Sequence, residues 1–168
     1  MSANNPYATP QAPLTTRGTE TDGVGDLNIF TAAGRLGRIR YLMYTMGVGL
    51  VGGILAMLLF MIPFIGIFLG IALYIGIIVI SVLLTIQRCH DFNKSGWFSL
   101  LLLIPIVSLI FYFWPGTKGE NNFGHQPPPN STAITIGAFI LLALFVLSIV
   151  AAIALPAYQD YALRAAGQ

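Results

Sequence analysis

The residues best suited to chemistry lie in one short polar stretch, residues 87–97, between two apolar runs. Arg88, His90 and Lys94 offer hydrogen-bond donors of the kind that bind anionic lipid headgroups or small anionic ligands. Arg88 and Asp91 are three residues apart and can pair at the end of a helix. Two interpretations are open, a charge-clamped turn at a membrane surface and an anion-binding site, and the structural one is favoured.

A metal site or a catalytic site is poorly supported by the sequence. Cys89 and His90 are adjacent and diverge on a helix, whereas zinc needs converging ligands. Asp91 and His125 could complete a ligand set, but His125 is expected on the other side of the membrane. The chain has no Gly-x-Ser-x-Gly elbow and no phosphate-binding loop. We expect no catalytic residues, no metal and no cofactor.

A second basic group precedes the first apolar run. Arg35 and Arg38 are three residues apart and would share one face if this segment were helical. Phe30 and Tyr41 flank them and suit the headgroup level of a bilayer, so a short interfacial segment is predicted. The candidate residues for headgroup or ligand binding are therefore Arg35, Arg38, Arg88, His90, Asp91 and Lys94.

Long apolar runs position these groups. Only 8% of the 168 residues are charged and 56% are hydrophobic, whereas soluble domains carry about 25% charged residues. No Lys, Arg, Asp or Glu occurs in residues 41–87, 95–117 or 121–159. About 20 helical residues cross the hydrocarbon core of a bilayer. The prediction is an all-α polytopic membrane protein with about four transmembrane helices, near residues 41–62, 67–87, 97–114 and 133–155.

Glycine and proline add detail to these spans. Gly49 and Gly53 form a small-xxx-small pattern, which predicts close helix packing, within the monomer by preference and in a dimer as the alternative. Pro105 predicts a kink in the third span, with a re-entrant hairpin broken at Pro105 as the alternative, and Pro156 is expected to end the fourth span. The first apolar run follows a polar tail, so it is not expected to be a signal peptide.

The basic residues set the expected orientation, because cytoplasmic loops are enriched in lysine and arginine. Six of the eight precede the first span or follow the second, so the N-terminus and residues 88–96 are expected in the cytoplasm. Lys118, offset by Glu120, leaves the third loop outside. Arg164 then places the C-terminus inside.

Three motifs resemble the bacterial inner-membrane family called domain of unknown function 805. Residues 34–41 are similar to its Gly-Arg-x-x-Arg-x-x-Tyr entry motif, and residues 88–97 to its central Arg-x-His-Asp and Ser-Gly-Trp motif. Residues 116–124 resemble its closing Gly-Thr-x-Gly-x-Asn-x-Phe-Gly motif, with Lys118 where proline is common. The resemblance implies a compact inner-membrane domain and brings no established reaction. Its structural motif residues here are Gly34, Tyr41, Ser95, Gly96, Trp97, Gly116, Gly119, Asn121, Phe123 and Gly124.

Three regions are predicted along the chain. Residues 1–28 are polar and Pro/Gly-rich, which predicts a disordered cytoplasmic tail. Residues 29–129 form the family-type membrane domain with three spans, and residues 130–168 add a C-terminal transmembrane helix and a short tail. Residues 151–165 resemble the N-terminal helix of type IV pilins, although Ile134 and Phe139 occupy the positions of the pilin processing glycine and glutamate.

The predicted function is that of a non-enzymatic module of the bacterial inner (plasma) membrane, multi-pass with a cytoplasmic N-terminus. It would act as a scaffold, a partner-binding protein or a lipid-interacting protein. The expected partners are membrane lipids, a second copy of the chain or other membrane proteins, and not nucleic acid, because the net charge is only +2. The alternatives are a component of a small-molecule transporter or channel and an accessory to pilus or secretion machinery.

Overall fold

The fold of the protein was obtained as a computed structural model, which describes residues 23–167. Within that range the regular structure is helical, and isolated bridges join Val24 to Gln126 and Asn121 to Gly124. The predicted all-α fold is confirmed. Most of the predicted disordered tail, residues 1–22, lies outside the described residues. The elements are α1 (Arg38–Phe60), α2 (Ile65–Asp91), a 3₁₀ helix (Gly96–Leu103), α3 (Pro105–Ser108), α4 (Ile110–Phe113) and α5 (Thr132–Ala166).

Three of these helices, α1, α2 and α5, are long and apolar enough to cross a membrane in the part of the chain that is described. Their 23, 27 and 35 residues correspond to about 35, 40 and 52 Å at 1.5 Å per residue, against a hydrocarbon core of about 30 Å. α5 does not end at Pro156 as expected, but continues to Ala166. A proline removes one backbone hydrogen bond, and the alanine-rich residues that follow favour a helix.

Residues 97–114 do not form the predicted third span. The 3₁₀ helix stops at Leu103, Ile104 is extended (φ −112°, ψ 100°), and Pro105 begins α3. A residue before proline is disfavoured in the α region, so the expected kink becomes a reversal of the chain. Eight residues of 3₁₀ helix rise only about 16 Å, which is too short to cross the hydrocarbon core. We call residues 96–114 the hairpin.

Both ends of the hairpin lie beside the last turn of α2. Its first residue follows Asp91 closely in the chain, and the Thr117 amide just beyond its end donates to the Asp91 carbonyl at 2.8 Å. We call this side of the molecule, with residues 34–41, 88–94 and 114–130, the motif end. It also holds the hydrophobic core, which is formed by Leu36, Tyr41, Leu84, Cys89 and Phe111.

α5 starts at the motif end and runs parallel to α1. The Arg40 guanidinium near the start of α1 donates to the Pro129 carbonyl at 2.8 Å, just before α5 begins. The loop with Lys118 therefore lies at the same end as the N-terminal motif, and the end of α5 with Arg164 lies at the opposite end. The charges alone predict the Lys118 loop on the opposite side from the N-terminal motif and Arg164 on the same side as that motif. The structure reverses both placements, because the hairpin returns the chain to the motif end.

The glycines of α1 do not form a single packing face in the structure. A Cβ at Gly52 would overlap the Ile77 side chain, so this glycine allows α1 to approach α2 closely. Cβ atoms at Gly49 and Gly53 would meet nothing within 4 Å. Packing within the monomer therefore rests on Gly52, and the Gly49–Gly53 pattern faces outward.

Candidate functional site

Arg35 lies in the extended segment before α1, and its side chain is buried. Nη1 donates to the carbonyl oxygens of Gly119 at 2.6 Å and Gly124 at 3.2 Å. Nη2 donates to the Thr117 carbonyl at 2.6 Å, to its hydroxyl at 3.0 Å and to Asp91 Oδ1 at 3.1 Å. The remaining donor, Arg35 Nε, is buried and has no hydrogen-bond partner among the described residues. Arg35 thus ties the entry motif to the central and closing motifs.

Arg88, in the last turn of α2, is fully buried. Nε donates to the Phe111 carbonyl at 2.7 Å, and Nη2 donates to the Trp114 carbonyl. Nη1 donates to Asp91 Oδ2 and, at 3.4 Å, to the Leu36 carbonyl. This one guanidinium group therefore fixes the returning arm of the hairpin and the entry segment to α2.

Asp91 joins the two arginines, and it is buried with them. One carboxylate oxygen accepts from Arg35 and the other from Arg88, which confirms the predicted Arg88–Asp91 pair. The Thr117 hydroxyl donates to the Asp91 carbonyl at 2.9 Å. A Cβ at Gly116 would overlap the carboxylate, so only glycine fits there. We call Arg35, Arg88 and Asp91 the clamp.

The clamp carries two positive charges against one negative charge in a buried site. A buried ion pair is favourable only when the remaining donors also find partners. Here carbonyl oxygens from the entry segment, the hairpin and the closing motif accept from the guanidinium groups. The clamp therefore depends on the three family motifs being assembled around it.

His90 and Asn121 extend this network toward the surface. The His90 ring stacks on Phe123 with centroids 4.0 Å apart, and Nδ1 lies 3.2 Å from the Gly34 carbonyl. Asn121 Nδ2 donates to the His90 carbonyl and to Thr117 Oγ1, both at 2.8 Å. Asn121 Oδ1 accepts from the Phe123 amide at 2.9 Å. These contacts hold the closing motif in place.

Arg38 and Lys94 differ from the other candidates because both are exposed. Residues 35–37 are not helical, so Arg35 and Arg38 do not share a face as they would on a helix. Arg38 Nη1 donates to the Phe113 carbonyl at 3.4 Å, and Lys94 Nζ lies 6.0 Å from the centre of the Phe98 ring. In the described part of the chain no carboxylate lies within ion-pair distance of either. Headgroup binding by the six candidates stays a prediction.

Three further motif residues lie at the contacts between α1, α2 and the hairpin or at the surface. The Tyr41 hydroxyl lies 3.1 Å from Thr85 Oγ1, which joins α1 to α2. A Cβ at Gly96 would lie 3.0 Å from Ile86, so the hairpin starts in close contact with α2. Trp97 is exposed, a placement that suits an aromatic residue at a bilayer interface.

Two polar residues that were not among the sequence-based candidates, Gln87 and Arg40, also hold the motif end together. Gln87 Nε2 donates to the carbonyls of Asn28 at 2.6 Å and Thr31 at 2.5 Å. Arg40 Nε donates to Asn130 Oδ1 at 3.2 Å. Each is a polar residue at the end of an apolar run, where a buried polar group needs a partner. This position at the end of an apolar run indicated a structural role, but the sequence alone did not identify the hydrogen-bond partner.

The candidate metal ligands lie at the motif end but do not converge. Cys89 is buried in the core, and His125 Nδ1 lies 3.9 Å from Glu120 Oε1. Within residues 23–167 there is no group of three or more His, Cys, Asp and Glu side chains that could hold a metal ion.

Residues 29–125 match the family described as "Protein of unknown function (DUF805)". The chain is similar to the inner membrane protein YhaI of Escherichia coli K12 and O157:H7, with 29% identity over 99 residues, which is 56% of this chain and 84% of the relative. It is also similar to the inner membrane protein YhaH of Escherichia coli K12, with 42% identity over 45 residues, which is 24% of this chain and 37% of the relative. No solved structure matches the chain significantly.

The family match covers more than half of the chain and includes all three motifs. Those motifs supply the arginines, the aspartate and the carbonyl oxygens of the clamp. The relatives are named as inner membrane proteins, and the three long apolar helices of this chain agree with a membrane protein. All three clamp residues lie within the matched range, and the chain belongs to the DUF805 family.

Proposed function

We propose that the protein is a multi-pass module of the inner membrane that binds lipid and acts by binding rather than by catalysis. The observation that carries this proposal is the outward-facing apolar surface of the long helices. In α1, α2 and α5 only 6% of the most apolar 18-residue stretch is buried within the molecule. Soluble proteins rarely expose apolar patches of such extent, whereas lipid chains cover them in a bilayer.

The hydrogen bonds and burial of the polar side chains support binding rather than catalysis. The side chains that could perform chemistry at the motif end hold the fold together instead. Arg35, Arg88 and Asp91 bond to one another and to backbone carbonyls, and Cys89 lies in the core. His90 has one ring face against Phe123. The two exposed basic residues, Arg38 and Lys94, are suited to anionic headgroups.

The positions of the basic residues favour a cytoplasmic motif end. The positive-inside rule counts lysine and arginine near the ends of spans. Six of the seven basic residues in the described range lie at the motif end, and Arg164 lies at the opposite end of α5. With three crossings, the motif end faces the cytoplasm and the C-terminus faces the periplasm. The six are Arg35, Arg38, Arg40, Arg88, Lys94 and Lys118.

Paired fusions test this topology. Alkaline phosphatase and green fluorescent protein are each fused after Gln168 and, as a matched control, after Asn130 before α5. We expect phosphatase activity without fluorescence at Gln168, and fluorescence without phosphatase activity at Asn130. Fluorescence at both sites would contradict the three-crossing topology, because α5 would then not cross the membrane, and phosphatase activity at Asn130 with fluorescence at Gln168 would contradict the cytoplasmic motif end.

Lipid retention tests the binding function. The full chain is purified in mild detergent with an equimolar mixture of phosphatidylglycerol and phosphatidylethanolamine, and retained lipids are counted by native mass spectrometry. We expect enrichment of phosphatidylglycerol, because the motif end carries a large excess of positive charge. Retention of both lipids in the supplied ratio would reject the proposed function.

A further inference from the structure

A groove of about 1000 Å³ opens between α1, the hairpin and α5. Its volume is at the upper end of the range of about 300–1,000 Å³ for ligand pockets. Apolar side chains form most of its walls, among them Leu42, Met46 and Leu50 of α1 and Leu142 and Phe145 of α5. An occupant of these walls has to be largely apolar.

The few hydroxyl groups on the walls are already bonded within the protein. Thr45 Oγ1 donates to the Tyr41 carbonyl at 2.7 Å, and the Tyr112 hydroxyl lies 3.4 Å from Thr45 Oγ1. Ser148 Oγ donates to the Phe145 carbonyl at 2.7 Å. The walls therefore favour a hydrocarbon chain over a polar solute, because a polar group placed here would lose its hydration without a new donor.

The depth of the groove matches one leaflet of a bilayer. Its lining on α1 extends from Arg38 to Leu50, a rise of about 18 Å at 1.5 Å per residue. Half of a hydrocarbon core of about 30 Å is about 15 Å. The groove therefore begins at the motif end, at headgroup level, and reaches the middle of the membrane.

Arg38 gives the groove a charged mouth. Its guanidinium donates to the Phe113 carbonyl at 3.4 Å, and in the described range no carboxylate pairs with it. Arg88 bonds to the next carbonyl, that of Trp114, so a second positive charge lies nearby. An anionic group at this mouth would meet an exposed guanidinium group that makes only one long hydrogen bond to the described residues, and guanidinium groups bind phosphate strongly.

We propose that this groove binds one anionic phospholipid of the surrounding bilayer. Its phosphate lies on Arg38, and an acyl chain lies along α1 and α5. The inference rests on the proposed function and adds a site, a contact residue and a lipid class. The charged mouth, the apolar walls and the depth of one leaflet all match the two-part chemistry of a phospholipid.

Two variants change the mouth and the walls separately, in the lipid-retention experiment described above. Arg38→Gln removes the charge at the mouth, and Arg164→Gln, which changes an exposed arginine at the opposite end of α5 and outside the lining, is its control. Gly49→Leu fills the groove without a backbone clash, because a Cβ there meets nothing within 4 Å. Gly53→Leu is its control, since that site is equally open and does not line the groove.

We expect Arg38→Gln to weaken phosphatidylglycerol binding about tenfold, the usual effect of one hydrogen bond to a charged group. Arg38→Lys should restore part of that loss. Gly49→Leu should remove the tightly retained lipid of either class, and both controls should keep the wild-type pattern. Size-exclusion chromatography confirms that each variant is folded.

The outcomes separate this inference from the proposed function. If the wild-type chain enriches phosphatidylglycerol and both Arg38→Gln and Gly49→Leu do so equally, lipid binds elsewhere and the groove proposal is overturned. If Gly49→Leu changes the oligomeric mass instead of the lipid count, a second copy of the chain occupies the groove, and the proposal is likewise overturned. An absence of enrichment in the wild type rejects the proposed function itself.

Discussion

The clamp and the groove lie at the same end of the molecule and use arginine in opposite ways. In the clamp, Arg35 and Arg88 are buried and donate to Asp91 and to backbone carbonyls. At the mouth of the groove, Arg38 is exposed and makes one long hydrogen bond. The two kinds of arginine are only three residues apart in the entry motif.

This difference shows that a shared basic motif need not be a binding motif throughout. Charge that is buried and bonded to carboxylate and carbonyl oxygens of the protein stabilises the fold, and those donors are not available to a ligand. Charge that is exposed beside an apolar groove is available. Because the two uses are distinct, substitutions should separate stability from binding.

The largest effect is expected from Asp91→Asn, which leaves two buried guanidinium groups without a carboxylate. Removing one partner of a buried ion pair costs about 3–5 kcal/mol. We expect the free energy of unfolding in detergent micelles to fall by about that amount, as measured by denaturant titration. Asp160→Asn, on the exposed part of α5, is the control. A loss of less than about 1 kcal/mol would show that the clamp is not the main stabilising feature of the motif end.

A smaller effect is expected from Gly116→Ala, which places a methyl group against the Asp91 carboxylate. Overpacking of this kind typically costs about 1–3 kcal/mol. The same titration measures it, and Gly76→Ala serves as the matched control because a Cβ at Gly76 meets nothing within 4 Å. Equal stability of the two variants would mean that the closing motif is not held tightly against Asp91.

The smallest effect on stability is expected from Arg38→Gln. Exposed substitutions away from packed features usually change stability by no more than about 0.5 kcal/mol. The same titration should therefore give nearly the wild-type free energy of unfolding, in contrast to Arg35→Gln at the buried position. A large loss for Arg38→Gln would place Arg38 with the clamp and remove the distinction between the two regions.

Much of the fold could be predicted from the sequence, because charge-free apolar runs determine where long helices form. The predicted spans near residues 41–62, 67–87 and 133–155 correspond to α1, α2 and α5. The third apolar run is as free of charge as the others, although it is shorter. Pro105 indicated where the run breaks, but the return of the chain to the motif end depends on contacts with residues outside the run.

The site was predicted only in part, for a related reason. The i, i+3 spacing was enough to identify the Arg88–Asp91 pair. Which arginine is buried could not be read from the motif, because Arg35 and Arg38 are chemically identical and differ only in the carbonyls around them. The partners of Arg35 at Thr117, Gly119 and Gly124 are more than 80 residues away in the chain. Contacts at that separation follow from the return of the hairpin.

The clamp also imposes an order on the synthesis of the protein. Arg88 and Asp91 leave the ribosome before the hairpin and the closing motif are made. The two arginines of the clamp, Arg35 and Arg88, donate to carbonyl oxygens in those later segments. About 33 residues separate Asp91 from Gly124, and chains grow at about 5–20 residues per second, so the wait is roughly 2–7 s. During that time α2 ends in a charged turn without its partners. The clamp can close only after Thr117, Gly119 and Gly124 have also been made, which is shortly before α5 begins at Thr132.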